Sequence, residues 1–254
     1  MRKSIKKLLA VIFAITMILG VVPIKSEIVE AAPTYDNTIF YTTEFAGERS
    51  SMVADVNQFI RSQYGVSVKT NTNLINICQN KLVFTNSWNG MKDNQTVVVI
   101  NSHGSPTQLC GLSTADIKKL NYKHIGCIVI LGCNIGHYDY RTENVARAFA
   151  DRFHCPVIAC DGTVSFYNDG TSSNPHYVYK PSNGVTWNNY CRGKYSGRAG
   201  HACYGWLAYF PKYQSDGHYV QGRLYQIAPY GGRMSLYEML ANYYRGNVRE
   251  LPAR

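Results

Sequence analysis

Apolar residues fall into short runs separated by polar turns, and the runs alternate between strand and helix periods. Thr38 to Phe45 (TIFYTTEF) is β-branched and aromatic, which predicts a strand. Ser51 to Tyr64 sets Met52, Val53, Val56, Phe59 and Ile60 on one helical face. Val66-Ser67-Val68 predicts a short strand. Leu74, Cys78 and Leu82, with Ile75 beside them, have the spacing of a second helix, although Leu82-Val83-Phe84 fits a strand equally well. Thr96 to Asn101 (TVVVIN) is an unbroken apolar run, as expected of a strand buried on both faces of a parallel sheet. Ser113 and Asp116 form a capping box opening a short helix through Leu120. Cys127 to Leu131 (CIVIL) is the next buried strand. Glu143 to Phe153 then places Val145, Phe149 and Phe153 at helical spacing beside Ala146 and Ala150, and Pro156 to Cys160 (PVIAC) closes the series. Strand and helix alternating through residues 38–160 predict an α/β fold with a mostly parallel sheet flanked by helices.

The texture changes after Asp161. Residues 162–232 hold 11 of the 20 tyrosines and 11 of the 21 glycines, with few helical patterns. His176 to Lys180 and Val220 to Ile227 alternate as antiparallel strands do, and Asn168-Asp169-Gly170 and Ser215-Asp216-Gly217 are turn signals. Ser235 and Glu238 cap a last helix whose face carries Met234, Tyr237, Leu240, Ala241 and Tyr244. No linker composition interrupts this Tyr/Gly-rich β and loop portion. The expectation is one domain over residues 36–254, in which 36–161 form the α/β core and 162–254 complete it.

Composition narrows the class. With 45% hydrophobic and 17% charged residues the chain is neither a disordered tail, a collagen-like fibre nor a polytopic membrane protein. Arg2, Lys3, Lys6 and Lys7 precede the uncharged stretch Leu8 to Val22, and Val29-Glu30-Ala31 offers modest side chains to a signal peptidase. Residues 1–31 therefore read as a secretory signal, with an apolar run short for a bilayer span. Cleavage predicts a protein that is secreted, extracellular or attached to the cell surface, without a stable membrane anchor. It also removes five basic and two acidic residues, lowering the net charge from +10 to +7. That charge suits an anionic cell-wall or membrane surface as partner. The basic residues form no stripe, so nucleic acid is not expected as a partner.

Two sequences at the ends of the most buried runs carry candidate chemistry. Val97 to Ile100 leads to Asn-Ser-His103-Gly104, and Cys127 to Leu131 leads to Gly-Cys133-Asn-Ile-Gly136. In an open parallel sheet, ligands bind outside the carboxyl ends of the strands. Successive parallel strands bring both ends to one edge, so His103 and Cys133 are predicted to be neighbours. A thiolate is the reactive form of cysteine, and an imidazole beside it takes its proton and later protonates a leaving amine. Glycine at 104 lets a backbone N–H approach a substrate carbonyl, and the Cys133 N–H supplies a second oxyanion donor. Alone, a His-Gly is usually a turn and a cysteine usually a small buried hydrophobe. The placement of both at the ends of adjacent buried strands is what points to catalysis.

The phrases Ile-Asn-Ser-His103-Gly104-Ser-Pro, Leu-Gly-Cys133-Asn-Ile and Pro-Val-Ile-Ala-Cys-Asp161, with the helix around Val145 to Phe153, resemble the caspase-like cysteine peptidases of clan CD. Within that group residues 97–161 look most like bacterial toxin self-processing peptidases and CHAT-type domains. The resemblance implies a caspase-like domain and an exported cysteine endopeptidase acting on a protein or peptide substrate. It implies a His103–Cys133 dyad, oxyanion donors from the backbones of Gly104 and Cys133, and an acyl-enzyme. No cofactor and no catalytic metal are expected. In clostripain-like relatives the acid that selects Arg or Lys stands two residues before the Cys, where this chain has Leu131. Asp161, ending the next strand, is the residue expected to line the specificity pocket.

A non-catalytic cell-surface or cell-wall binding module on the same fold is the alternative, suggested by the aromatic run Gly205-Trp206-Leu-Ala-Tyr209-Phe210. Papain-type and cell-wall amidases place Cys before His, opposite to this order. His137, Asp139, Glu143, His124 and His154 read as loop or helix-start residues, and neither Cys155-x4-Cys160 nor His201-x-Cys203 has the spacing of a closed zinc site. The eight cysteines suit an exported disulfide protein. A nucleophilic Cys133 leaves an odd structural set, with Cys191 and Cys203 as the first bridge expected.

Overall fold

The computed structural model describes residues 32–182, 203–215 and 217–252. The expected signal segment 1–31, Cys191 and His201 lie outside the described residues. In chain order, β1 (Thr34–Tyr41) passes through a 3-10 helix, Thr43–Glu48, into α1 (Arg49–Tyr64). Then come β2 (Lys69–Asn76), α2 (Lys81–Gly90), β3 (Gln95–Asn101) and three two-residue strands, β4 (Gly104–Ser105), β5 (Gln108–Leu109) and β6 (Leu112–Ser113). Next are α3 (Thr114–Ile117), β7 (Ile125–Ile130), α4 (Val145–Phe153), β8 (Val157–Cys160), β9 (Thr163–Asn168) and β10 (Tyr177–Ser182). The chain closes with β11 (Trp206–Tyr209), β12 (Tyr213–Ser215), β13 (His218–Val220), β14 (Leu224–Ile227), β15 (Met234–Ser235), α5 (Leu236–Tyr244) and β16 (Val248–Leu251).

The protein is mixed α/β. Eight strands form one sheet in the order β16-β14-β11-β8-β7-β3-β1-β2. The five from β2 to β8 are parallel, whereas β11, β14 and β16 join antiparallel. The expectation of a mostly parallel sheet holds for residues 34–160, and the Tyr/Gly-rich portion widens the same sheet. Strand alternation divides the core in two. Val98, Ile100, Ile128 and Ile130 face Phe84, Trp88, Phe149 and Phe153 of α2 and α4. Val97, Val99, Val129 and Ile158 face Met52, Val56, Phe59 and Ile60 of α1 with Met239 and Leu240 of α5. Each large side chain buried completely contributes about 1.5–3 kcal/mol of transfer free energy, so the two layers hold the sheet rigid.

Helix starts follow local chemistry. Both capping boxes form, at Ser113/Asp116 and Ser235/Glu238. The Asn80 side chain accepts from the N–H groups of Leu82 and Val83, and that of Asn144 from Arg147.

Several boundaries differ from the sequence expectation. The first strand ends at Tyr41: the Thr42 N–H closes its ladder on the Asn101 carbonyl (3.2 Å), and Thr43–Glu48 then coils as 3-10. Val66 to Val68 is not a strand. The helix expected around Leu74 to Leu82 is instead β2, paired with β1 along its whole length, followed by α2. Cys78 and Gln79 adopt φ of 48° and 49°, conformations that no right-handed helix continues through. The helix after Ser113 stops at Ile117 rather than reaching Leu120. Met234 lies on β15, not on the last helix.

Arg147 stitches the late strands to the early core. Its guanidinium is buried and donates to the carbonyls of Arg141 (3.2 Å), Phe210 (2.5 Å) and Gly222 (3.0 Å). Three carbonyl acceptors compensate a charge that burial otherwise disfavours.

Candidate active site

The sheet reverses its order of growth between β1 and β3, since β2 lies on one side of β1 and β3 with β7 on the other. The crevice at such a reversal, outside the carboxyl ends, is where open α/β sheets bind ligands. His103 follows β3 by two residues and Cys133 follows β7 by three, and these strands are parallel neighbours in register. Their loops touch. A Cβ placed on Gly132 would lie 2.9 Å from the Ser102 carbonyl and 2.9 Å from Ile135 Cγ1, so the residues immediately before His103 and Cys133 pack without room for a methyl group.

The His103 loop is held from below. Gln79 Nε2 donates to the His103 carbonyl (3.3 Å), and the Ser102 hydroxyl donates to Gln79 Oε1 (2.8 Å). Asn101 Nδ2 donates to Glu48 Oε2 (2.8 Å), tying the end of β3 to the start of α1. The Cys110 N–H donates to the His103 carbonyl (3.4 Å) within the β4–β5 hairpin. Antiparallel alternation then directs the Gly104 N–H out of that hairpin. The imidazole is exposed, with Nε2 3.6 Å from Glu44 Oε2 and its ring centroid 5.1 Å from that of Phe45.

The Cys133 loop is tied to the strand beyond it. The Asn134 N–H donates to the Gly162 carbonyl (2.7 Å) and the Gly136 N–H to the Cys160 carbonyl (2.9 Å), while Asn134 takes φ of 57°. The Cys133 N–H has no backbone acceptor among the described residues. Its half-buried Sγ accepts from the Val164 N–H (3.4 Å) on β9.

Burial sets four of the described thiols apart. It pushes Cys110 up to about 11 and Cys155 up to about 12, and it holds Cys127 and Cys160 well above the ordinary thiol value. Among the described cysteines, Cys78, Cys133 and Cys203 are the ones solvent reaches.

Asp161 stands where the sequence places it, at the end of β8, but not in the expected role. Its side chain is fully buried. Oδ1 accepts from the Tyr138 N–H (2.6 Å) and Oδ2 from the Tyr204 N–H (2.7 Å), with His137 Nδ1 3.8 Å away. A carboxylate with both oxygens held by backbone donors is a strut between the Cys133 loop and the chain entering β11, not a pocket wall. Leu131 is likewise buried in the core. The aromatic run of the binding-module alternative is also interior, with Trp206 and Tyr209 completely buried.

Glu44, Phe45 and Phe166 border the site and are absent from the sequence expectation. The signal for the first two lay at the end of β1, obscured because Thr43 to Phe45 read as strand. Among the described residues no cluster of three or more His, Cys, Asp or Glu could hold a metal ion, and no helix is long and apolar enough to cross a membrane. No protein-family profile and no curated protein matches the chain. What the fold defines is a mixed α/β protein, an eight-stranded sheet flanked by helices, with a His–Cys pair of loops at its carboxyl edge.

Proposed function

We propose that the protein is an exported cysteine endopeptidase of caspase-like fold. The observation that carries this reading is the contact between the His103 and Cys133 loops, through Gly132 and Ser102, at the carboxyl ends of adjacent parallel strands. His103 takes the Cys133 thiol proton as Sγ bonds to the peptide carbonyl carbon. The resulting oxyanion is met by the N–H groups of Gly104 and Cys133. The C–N bond then breaks as His103 passes its proton to the leaving amine. Water next gives a proton to His103 while its oxygen attacks the thioester, and Sγ leaves and is reprotonated.

Glu44 orients the imidazole in this scheme. Both partners are more than half exposed, and the 3.6 Å contact is longer than a hydrogen bond, so it becomes an ion pair only when His103 holds the proton it has taken. Such a pair contributes up to about 1 kcal/mol, so Glu44 assists the dyad without being essential to it.

The test is peptide-library cleavage by the purified chain alongside Cys133→Ala and His103→Ala, with iodoacetamide mapping at neutral pH. Cleavage is expected to vanish in both variants, and Cys133 is expected to alkylate faster than the exposed Cys78. Cleavage that survives Cys133→Ala refutes the reading.

A further inference from the structure

We propose that a pH-operated clasp fastens the β9–β10 hairpin to the helix layer, with the His176 imidazolium bridging the buried Asp55 of α1 and Asp169 of the hairpin's own turn. His176 stands just before β10. Its Nδ1 lies 2.6 Å from Asp169 Oδ1, and its Nε2 lies 3.7 Å from Asp55 Oδ1. A neutral imidazole has one N–H, so it offers a proton to one carboxylate and a lone pair to the other. The imidazolium offers a proton to both. Asp55 is buried, and its Oδ2 has no hydrogen-bond partner among the described residues. A buried carboxylate is costly to keep charged unless a cation faces it. Among the described residues, His176 is the cation within ion-pair range of Asp55.

The charged groups that face the ring come from three elements and are all acids: Asp55 on α1, Asp169 in the turn and Glu238 on α5. Glu238 keeps Oε2 on the Ser235 N–H (2.7 Å) and acts on the ring from a distance. Asp55 is also approached by the Tyr179 hydroxyl and by the N–H groups of Leu236 and Tyr237 at the start of α5. Burial lowers the His176 imidazole, but the three acids raise it above its ordinary 6.5. Burial likewise pushes Asp55 up to about 6, against the pull of His176 and the α5 N–H groups. The stabilisation from the imidazolium is complete below 6.5 and is lost as pH rises through the raised folded value. Above that value Asp55 stays charged beside a neutral ring, and the clasp opens. The base of the hairpin is held by other means, since the Tyr177 N–H donates to Ser51 Oγ (2.9 Å) and Tyr179 is buried. Opening therefore frees the turn over residues 169–176. The same hairpin carries Val164, whose N–H donates to Cys133 Sγ, and Phe166, whose ring meets Phe45 at 5.7 Å. The clasp thus fastens the strand that borders the candidate site.

The experiment is amide hydrogen exchange of the full chain, read by mass spectrometry at about pH 6 and about pH 8 and corrected for the intrinsic pH dependence of exchange. At the lower pH the turn amides of His176→Gln should exchange about fivefold faster than those of wild type, the scale of one ion pair. At the higher pH the two should agree, because wild type then carries a neutral ring as well. The amides of β3, remote from the clasp, serve as the internal control for an intact fold. In an Asp55→Asn background the same His176→Gln substitution should change exchange by less than about twofold, as expected of coupled partners. A difference that is the same at both pH values, or absent at the lower one, overturns the clasp. A full difference in the Asp55→Asn background overturns its anchor on α1 and leaves only the pair within the turn. None of these outcomes depends on the peptidase reading, whose own test is loss of cleavage in Cys133→Ala.

Discussion

Replacing Glu48 by Gln should remove a defined part of the pH dependence of stability. Glu48 is 2% exposed, accepts from Asn101 Nδ2, and leaves Oε1 without a partner. The Tyr179 hydroxyl approaches the same carboxyl without closing a bond of normal geometry. Burial is the larger effect and pushes the carboxyl from 4.5 to about 7, although the Asn101 contact favours ionisation. The folded chain therefore keeps a proton that the unfolded chain releases. This stabilisation is full below about 4.5, declines as pH rises, and is gone above about 7. A shift of that size corresponds to ~3 kcal/mol. Asp55, raised to about 6 mainly by burial, changes in the same direction, so the informative quantity is the difference between wild type and variant.

Urea unfolding at pH values from about 4.5 to about 8 measures that difference. The glutamine side chain of the E48Q variant keeps an acceptor for Asn101 and carries no charge. Wild type should lose stability relative to E48Q by up to ~3 kcal/mol across the window, with unchanged m-values. A gap that stays constant with pH refutes the argument, because it means that Glu48 is already ionised in the fold. Glu48 also accepts from Asn101, two residues before His103, so the substitution lies beside the His103 loop.

Two other substitutions probe the loops themselves. Gly132→Ala puts a methyl group 2.9 Å from the Ser102 carbonyl, so it should part the two loops and lower kcat/KM by ~10²-fold, the scale of a small misplacement of reacting groups. The expected split is a larger loss in activity than in thermal midpoint, and normal turnover by this variant contradicts the loop contact. Asp161→Asn leaves one of two backbone donors unmatched. It should cost about 1–3 kcal/mol in denaturant unfolding and loosen the Cys133 loop to hydrogen exchange. An unchanged unfolding curve would mean that the carboxylate is not a strut.

Local pattern determined much of the architecture. Unbroken apolar runs at Thr96 to Asn101 and Cys127 to Leu131 identify strands buried on both faces, because only a sheet covered on each side needs apolar residues at every position. The capping boxes at Ser113 and Ser235 are local by nature, since donor and acceptor stand three residues apart. The order of strands and the rule that ligands gather at carboxyl ends brought His103 and Cys133 forward as a pair.

Tertiary structure decided the rest. Lys69 to Asn76 became β2 because the whole strand could pair with β1, and pairing partners distant in sequence leave no mark in a local window. Asp161 reads in sequence as an acid at a strand end. Two backbone N–H groups, one far along the chain at Tyr204, turn it into a buried strut. Phe45 and Phe166 are single aromatic residues with no motif of their own, and only tertiary contacts place Phe45 against His103 and Phe166 against Phe45. Sequence alone carries what neighbours along the chain impose, namely periodicity, caps and strand ends. Which strand ends share a crevice, and which side chains wall it, depends on contacts that form only when the sheet has closed.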